Sequence, residues 1–240
     1  MKNLNLRTLG VALGGLLVSS LALQAGISNS PHDFSGESWN ITPSDPSSVC
    51  GPCHQAHHAD SSVVPLWGHT TTSAGFTMYN TNTVPVSKMV AIVSSQPTGV
   101  SLACLSCHDG TVAVNSYGGT IQGGTGVTIT NSAKIGTDLT HTHPISFTYN
   151  SAVSAADTGV FDPTHAVLQP SSGTFVPGPN MTINGFLLAA NQRLECSSCH
   201  DVHNSLGTPF DITTNPKLVK IVGVDSGGKG SLLCRSCHNK

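Results

Sequence analysis

Four short strings decide how this chain folds: Cys50-Gly-Pro-Cys53-His54, Cys104-Leu-Ser-Cys107-His108, Cys196-Ser-Ser-Cys199-His200 and Cys234-Arg-Ser-Cys237-His238. They use all eight cysteines, and each has the form C-x-x-C-H, the covalent attachment motif of haem c. The spacing has a physical reason. On one helical turn, residues three apart share a face, so two thiols can add to the two vinyl groups of a single haem. The next residue lies beneath the ring, and its imidazole becomes the first axial ligand of the iron. The sequence therefore predicts four covalently bound haem c groups. Cys50, Cys53, Cys104, Cys107, Cys196, Cys199, Cys234 and Cys237 are the attachment points, and His54, His108, His200 and His238 the first ligands.

Disulfides, thioredoxin-like redox pairs and zinc sites also account for paired cysteines. None of them requires a histidine after every second cysteine. Histidine makes up 12 of 240 residues, and its falling there four times by chance has a probability of about one in 10⁵.

The composition fits a wrapping around cofactors. Ser and Thr supply 55 residues and Gly and Pro another 39, whereas only 12 are aromatic. With so few large side chains, the haems themselves would serve as core. The 22 charged residues leave a net charge of −2. No basic excess is present to neutralise phosphates, which disfavours nucleic acid as a partner. Low net charge also disfavours a solvated disordered chain, and Ala, Glu, Lys and Leu are too few for a coiled coil.

The first residues read as a leader. Lys2 and Arg7 precede an uncharged apolar run from Leu9 to Leu23, followed by Ala25, the layout of a secretory signal peptide over 1–25. The run is short and rich in glycine (Gly10, Gly14, Gly15), unlike a membrane span, and no second such stretch follows. The expected product is exported, to the cell exterior or the periplasm.

Whether the irons are open or capped separates an enzyme from an electron carrier. Eight histidines remain after the motifs are served: His32, His57, His58, His69, His141, His143, His165 and His203. His57 and His203 repeat a pattern, each three residues after a motif histidine. On a continuing helix such an imidazole is displaced about 4.5 Å along the axis. It cannot reach the far face of its own haem but can cap a neighbouring one. Two more histidines stand beside prolines upstream of each motif pair, in Pro31-His32 and His143-Pro144, where the backbone is stiff. The recurrence divides the chain into two halves, about 26–130 and 131–240, each holding two motifs. His32, His57, His143 and His203 are the four expected second ligands. His69 is the reserve, His141 competes with His143, and Met78, Met89 and Met181 are alternatives that would raise the potential. With both faces of each iron filled, no substrate can coordinate. Acids are sparse, Glu37 and Glu195 being the only glutamates, and no hydrolase or phosphate-loop pattern occurs. The expectation is electron transfer, not catalysis.

Short helical turns are expected at the four motifs. Residues 111–130 alternate Val, Ile and Thr with glycine and read as a hairpin, and 161–180, with four prolines, reads as an irregular loop. The fold class is that of a multihaem c-type cytochrome: mostly coil, with short helices at the haem motifs and few short strands around a haem stack, in a single elongated domain over 26–240.

Further strings extend the pattern: Ser30-Pro-His-Asp-Phe34, Cys50-Gly-Pro-Cys-His-Gln-Ala-His57, Pro65-Leu-Trp67, Cys104-Leu-Ser-Cys-His-Asp-Gly-Thr111, His143-Pro-Ile-Ser-Phe147 and Cys196-Ser-Ser-Cys-His-Asp-Val-His-Asn204. In this order they resemble the secreted tetrahaem cytochromes, and among these the filament-forming outer-surface cytochromes of metal-reducing bacteria. The resemblance implies bis-histidine ligation at every haem, a continuous haem stack and head-to-tail polymerisation. It also implies that one iron is completed by a histidine of the next subunit, with His57 the first candidate and His32 the second, and that respiratory electrons pass to other redox proteins or extracellular acceptors. A monomeric electron shuttle with all ligands supplied in cis is the alternative, and a multihaem reductase would need an open iron.

Overall fold

Every C-x-x-C-H string closes one turn of helix, because the backbone N–H of its histidine reaches the carbonyl of its first cysteine. The bonds are 2.8 Å for His54 to Cys50, 3.0 Å for His200 to Cys196 and 2.9 Å for His238 to Cys234. In this computed structural model the described residues are 26–40, 48–80, 82–84, 89–168, 181–203, 215, 217–224 and 230–239. The leader expected over 1–25 and part of the loop expected over 161–180, namely 169–180, lie outside them.

Among the described residues the α-helices are α1 (Gly99–His108), α2 (Ser151–Ala156), α3 (Cys196–Cys199) and α4 (Leu232–Cys237). Three of the four carry a C-x-x-C pair, and the first pair sits on an isolated turn. The strands are β1 (Ser116–Tyr117), β2 (Thr120–Ile121), β3 (Phe147–Thr148) and β4 (Arg193–Leu194), forming two antiparallel two-stranded sheets, β1-β2 and β3-β4. A π-helical turn, Ile183–Leu187, completes the larger elements. Most of the described chain is irregular.

Local chemistry explains the breaks. Helix α1 stops at Asp109-Gly110, where Gly110 takes φ +74°, a left-handed cap that glycine adopts without a Cβ penalty. The β1-β2 turn is Gly118-Gly119, both at positive φ, inside the region expected to be a hairpin. One expectation is corrected. The His-x-x-His strings do not continue on a helix, because His200 is extended (φ −111°, ψ 141°) and bridges to Val219, while His54 bridges to Trp67. The chain leaves each motif as a short ladder, since the pairing bonds available to an extended histidine replace the helical ones.

Coil of this kind needs its own pegs. Asp33, Asp60, Asp109, Asp138 and Asp162 are each followed two residues later by Ser or Thr. In all five the carboxylate accepts from that residue's backbone N–H (2.7–3.1 Å) and from its hydroxyl (2.5–2.8 Å). Such turns satisfy backbone groups locally, as a ladder would elsewhere.

The apolar packing is divided. The largest cluster joins Phe147, Tyr149, Val167, Ile183, Phe186, Leu187, Leu194, Ile221, Leu232 and Leu233. Three smaller clusters centre on Leu105 and Leu139, on Trp39 and Tyr117, and on Trp67 and Ala103. Clusters of three or four residues bury little area on their own. All four clusters lie against or between the motif turns.

Candidate functional site

A histidine is useful to a metal only if one ring nitrogen is left bare, and a hydrogen bond to the other fixes which one. His54 Nδ1 donates to Pro65 O (3.1 Å), His108 Nδ1 to Ala133 O (2.8 Å) and His200 Nδ1 to Lys217 O (2.7 Å). A carbonyl can only accept, so Nδ1 carries the proton and Nε2 keeps its lone pair. His143 does the same through Pro144 O at 2.8 Å. This outer hydrogen bond sets both tautomer and ring orientation, as it does for histidine ligands generally.

Three motif histidines face a second imidazole. The ring centroids of His32 and His108 are 6.0 Å apart, those of His54 and His203 are 6.1 Å apart, and those of His143 and His238 are 6.1 Å apart. A metal held between two imidazoles by bonds of about 2 Å puts the centroids about 6 Å apart. Face-to-face stacking brings rings closer, as Phe161 and His165 show at 4.0 Å, whereas tilted and edge contacts such as Trp67–His69 at 5.9 Å share this spacing. What marks the three pairs is that each sets a motif histidine against a second imidazole. The pairs differ in twist: the interplanar angle is 24° for His54–His203, 55° for His32–His108 and 72° for His143–His238. Each pair joins one motif histidine to one of the expected second ligands.

The fourth motif histidine differs. Among the described residues, His200 has no imidazole across from it at such a distance. It lies instead on a cleft of about 170 Å³ lined by Leu105, Ile135, Leu139, Ile145 and Leu194, together with His143, Glu195, Cys196 and Cys199. An apolar wall interrupted by two thiols and imidazoles suits a flat hydrophobic group tethered at Cys196 and Cys199. Two buried donors also point to a missing acceptor. Trp67 Nε1 and His32 Nδ1 have no hydrogen-bond partner among the described residues. A group bearing carboxylates, as haem does, would satisfy such donors.

The electrostatics follow from burial. His32 is held down to about 4, first by desolvation and then by His108, His200 and His203 around it, so it is a neutral imidazole at pH 7. Burial pushes Cys53 and Cys199 up to about 11 and Cys237 up to about 12. Cys104 is pushed up, first by its interaction with Cys196 and then by burial.

Other histidines have different surroundings. His69 is buried with Nδ1 2.9 Å from Thr70 O and Nε2 3.0 Å from Ala113 O and 3.3 Å from Cys107 Sγ; burial holds its pKa down, so the neutral ring donates to one of the two carbonyls. His57, His58, His141 and His165 are exposed. Of these, His58 sits over the Gly118-Gly119 turn and His165 lies flat on Phe161. Among the described residues no group of three or more His, Cys, Asp or Glu side chains converges as a metal cage, and no helix is long and apolar enough to cross a membrane.

Sequence reasoning missed Glu195, which stands out there only as one of two scarce glutamates. Its carboxylate ties the second and third motifs together. A lone acid one residue before a C-x-x-C-H string, two residues after an arginine, was the available signal. No protein-family model and no curated protein matches this chain.

Proposed function

We propose that this protein is an electron carrier holding four covalently bound haem c groups, each iron capped by two histidines, and that copies join head to tail into an extracellular filament. The observation that carries the reading is the set of three imidazole pairs at 6.0–6.1 Å, each linking a C-x-x-C-H histidine to a histidine outside the motifs. When bound, each haem supplies a one-electron iron couple, at the low potential that two neutral imidazoles favour over a His/Met pair. The polypeptide does the rest. Its thiols would anchor the four groups, its backbone carbonyls aim the Nδ1–H histidines, and its paired imidazoles would leave no position for an external ligand.

The two halves use their histidines alike. In each, the proline-flanked histidine faces the second motif: His32 faces His108, and His143 faces His238. His203, three residues after the first motif of the second half, reaches back to His54 of the first half. Repeating that step once more would bring His57 to His200, but in a neighbouring copy. Such a contact is heterologous, the kind that builds an open filament when the rotation between copies does not close into a ring. His57 is exposed and His200 borders an open cleft, which supports the same reading. Export through the predicted leader would place the filament outside the cell, facing extracellular acceptors or other redox proteins.

The test uses protein matured in a haem-ligating host. Mass spectrometry should give a chain heavier by four haems, the wild type should sediment as filaments with only low-spin spectra, and His57→Ala should yield monomers that bind one carbon monoxide per chain. Fewer than four tethered haems would end the cytochrome reading. Wild-type monomers that take up no carbon monoxide would favour an electron shuttle with every ligand in cis.

A further inference from the structure

We propose that the Arg193–Glu195 ion pair positions the junction between the second and third haem attachment turns and sets the potentials of those two haems apart from the others. This rests on the tetrahaem reading above and goes beyond it, since neither residue is a ligand.

Glu195 is only 3% exposed, a costly place for a carboxylate unless it is fully paired. It is paired four ways. One oxygen accepts from Thr98 Oγ1 (2.9 Å) and Arg193 Nε (3.3 Å), and the other from Ser101 Oγ and Ser146 Oγ (3.0 Å). Arg193 Nη2 in turn donates to Thr98 Oγ1 (2.8 Å) and Ser94 Oγ (3.0 Å). The bonds converge from three segments that each carry a candidate haem residue. Thr98 and Ser101 open α1, which bears Cys104. Ser146 ends the loop that begins at His143. Glu195 itself precedes Cys196.

The consequences are local and mechanical. Thr98 stands at the N-terminus of α1 but its side chain does not cap the helix, because its hydroxyl is committed to the ion pair. Ser101 Oγ accepts from the Cys196 backbone N–H at 3.0 Å, stitching α1 to α3 directly. Ser146 takes the left-handed φ of +61° while fully buried, a conformation that the surrounding bonds must hold in place. The Ser101–Cys196 bond thus joins the helix that bears Cys104 to the turn that begins at Cys196.

The charges also act on the irons. Glu195 lines the cleft that contains Cys196, Cys199 and His200. In a low-dielectric interior a fixed charge is felt far more strongly than at the surface. A carboxylate favours the ferric state of nearby iron, and a guanidinium the ferrous state. Removing either partner should therefore move the same two haems in opposite directions.

The experiment is spectroelectrochemistry on the holoprotein and on Glu195→Gln, Arg193→Gln and the double variant, after mass spectrometry has shown four haems in each. Glu195→Gln should raise two of the four reduction waves, Arg193→Gln should lower the same two, and the double variant should return them close to the wild type. Four unmoved waves, four waves moving together, or both single variants shifting in one direction would overturn the proposal while leaving the tetrahaem reading intact. If Glu195→Gln does not fold, Arg193→Gln decides alone, by a downward shift of two waves or none. Fewer than four haems in the wild type would overturn both readings.

Discussion

Replacing His203 with alanine tests the ligand geometry at its most specific point. The imidazole of His203 lies 6.1 Å from that of His54, with the two planes only 24° apart. Among the described residues no other facing imidazole pair shares either residue, so a metal between them would lose one of its two nitrogens while the other sites keep theirs. The expected size is one iron in four. Carbon monoxide titration of the reduced variant should end at one equivalent per chain, against none in the wild-type filament. The twist angle adds a second readout. Nearly parallel imidazole planes act on one iron d orbital more than on its partner and split the pair widely, whereas crossed planes leave the two close in energy. Electron paramagnetic resonance of the oxidised wild type should thus contain a rhombic signal from the His54–His203 site and a strongly anisotropic one from His143–His238, where the planes are 72° apart. His203→Ala should delete the rhombic signal alone and leave the filament assembled, in contrast to His57→Ala. No carbon monoxide uptake, or loss of the anisotropic signal instead, would refute the pairing.

Two further outcomes follow from packing and charge. Leu105, 1% exposed, packs on Phe76, Met78 and Leu139 and borders the cleft at His200, so Leu105→Ala should cost about 2–5 kcal/mol in chemical denaturation, and a loss below about 1 kcal/mol would show that the site relaxes or was never packed. Asp162 is held down from 3.8 to about 2, first by the Thr164 hydroxyl and then by Ser151, and hydroxyl bonds likewise lower Asp60 and Asp138. A depressed folded-state value means that the stabilisation is whole above the ordinary carboxylate range and is lost as pH falls through the lowered value. Amide protection factors around 162–165 should therefore fall between about pH 4 and pH 2, and Asp162→Asn should show low protection at every pH; protection unchanged down to pH 2 in the wild type would contradict the assignment.

Much of the local structure is legible in the order of residues alone. The C-x-x-C-H strings require a helical turn, Asp109-Gly110 ends one, and the glycines between 111 and 130 mark a hairpin; each depends on neighbours in sequence. The five Asp-x-Ser/Thr pegs are local in the same sense. The path of His54-Gln-Ala-His57 and His200-Asp-Val-His203 is not. An isolated helical turn gains too little to propagate, and extended pairing with Trp67 and Val219 is supplied by segments outside the motif.

Amino-acid order by itself picks out which residues would anchor the four proposed haems, since attachment needs only two thiols and an imidazole within five positions. Which imidazole faces which could not be read there. Partners such as His54 and His203 lie 149 positions apart in the sequence, and eight spare histidines offer many pairings of equal local merit. Only the folded chain chooses among them. It brings His32, His143 and His203 opposite motif rings, buries His69 between the carbonyls of Thr70 and Ala113, and gathers Thr98, Ser101, Ser146 and Arg193 around Glu195, because distance in space, not in sequence, governs a coordinate bond or a buried ion pair.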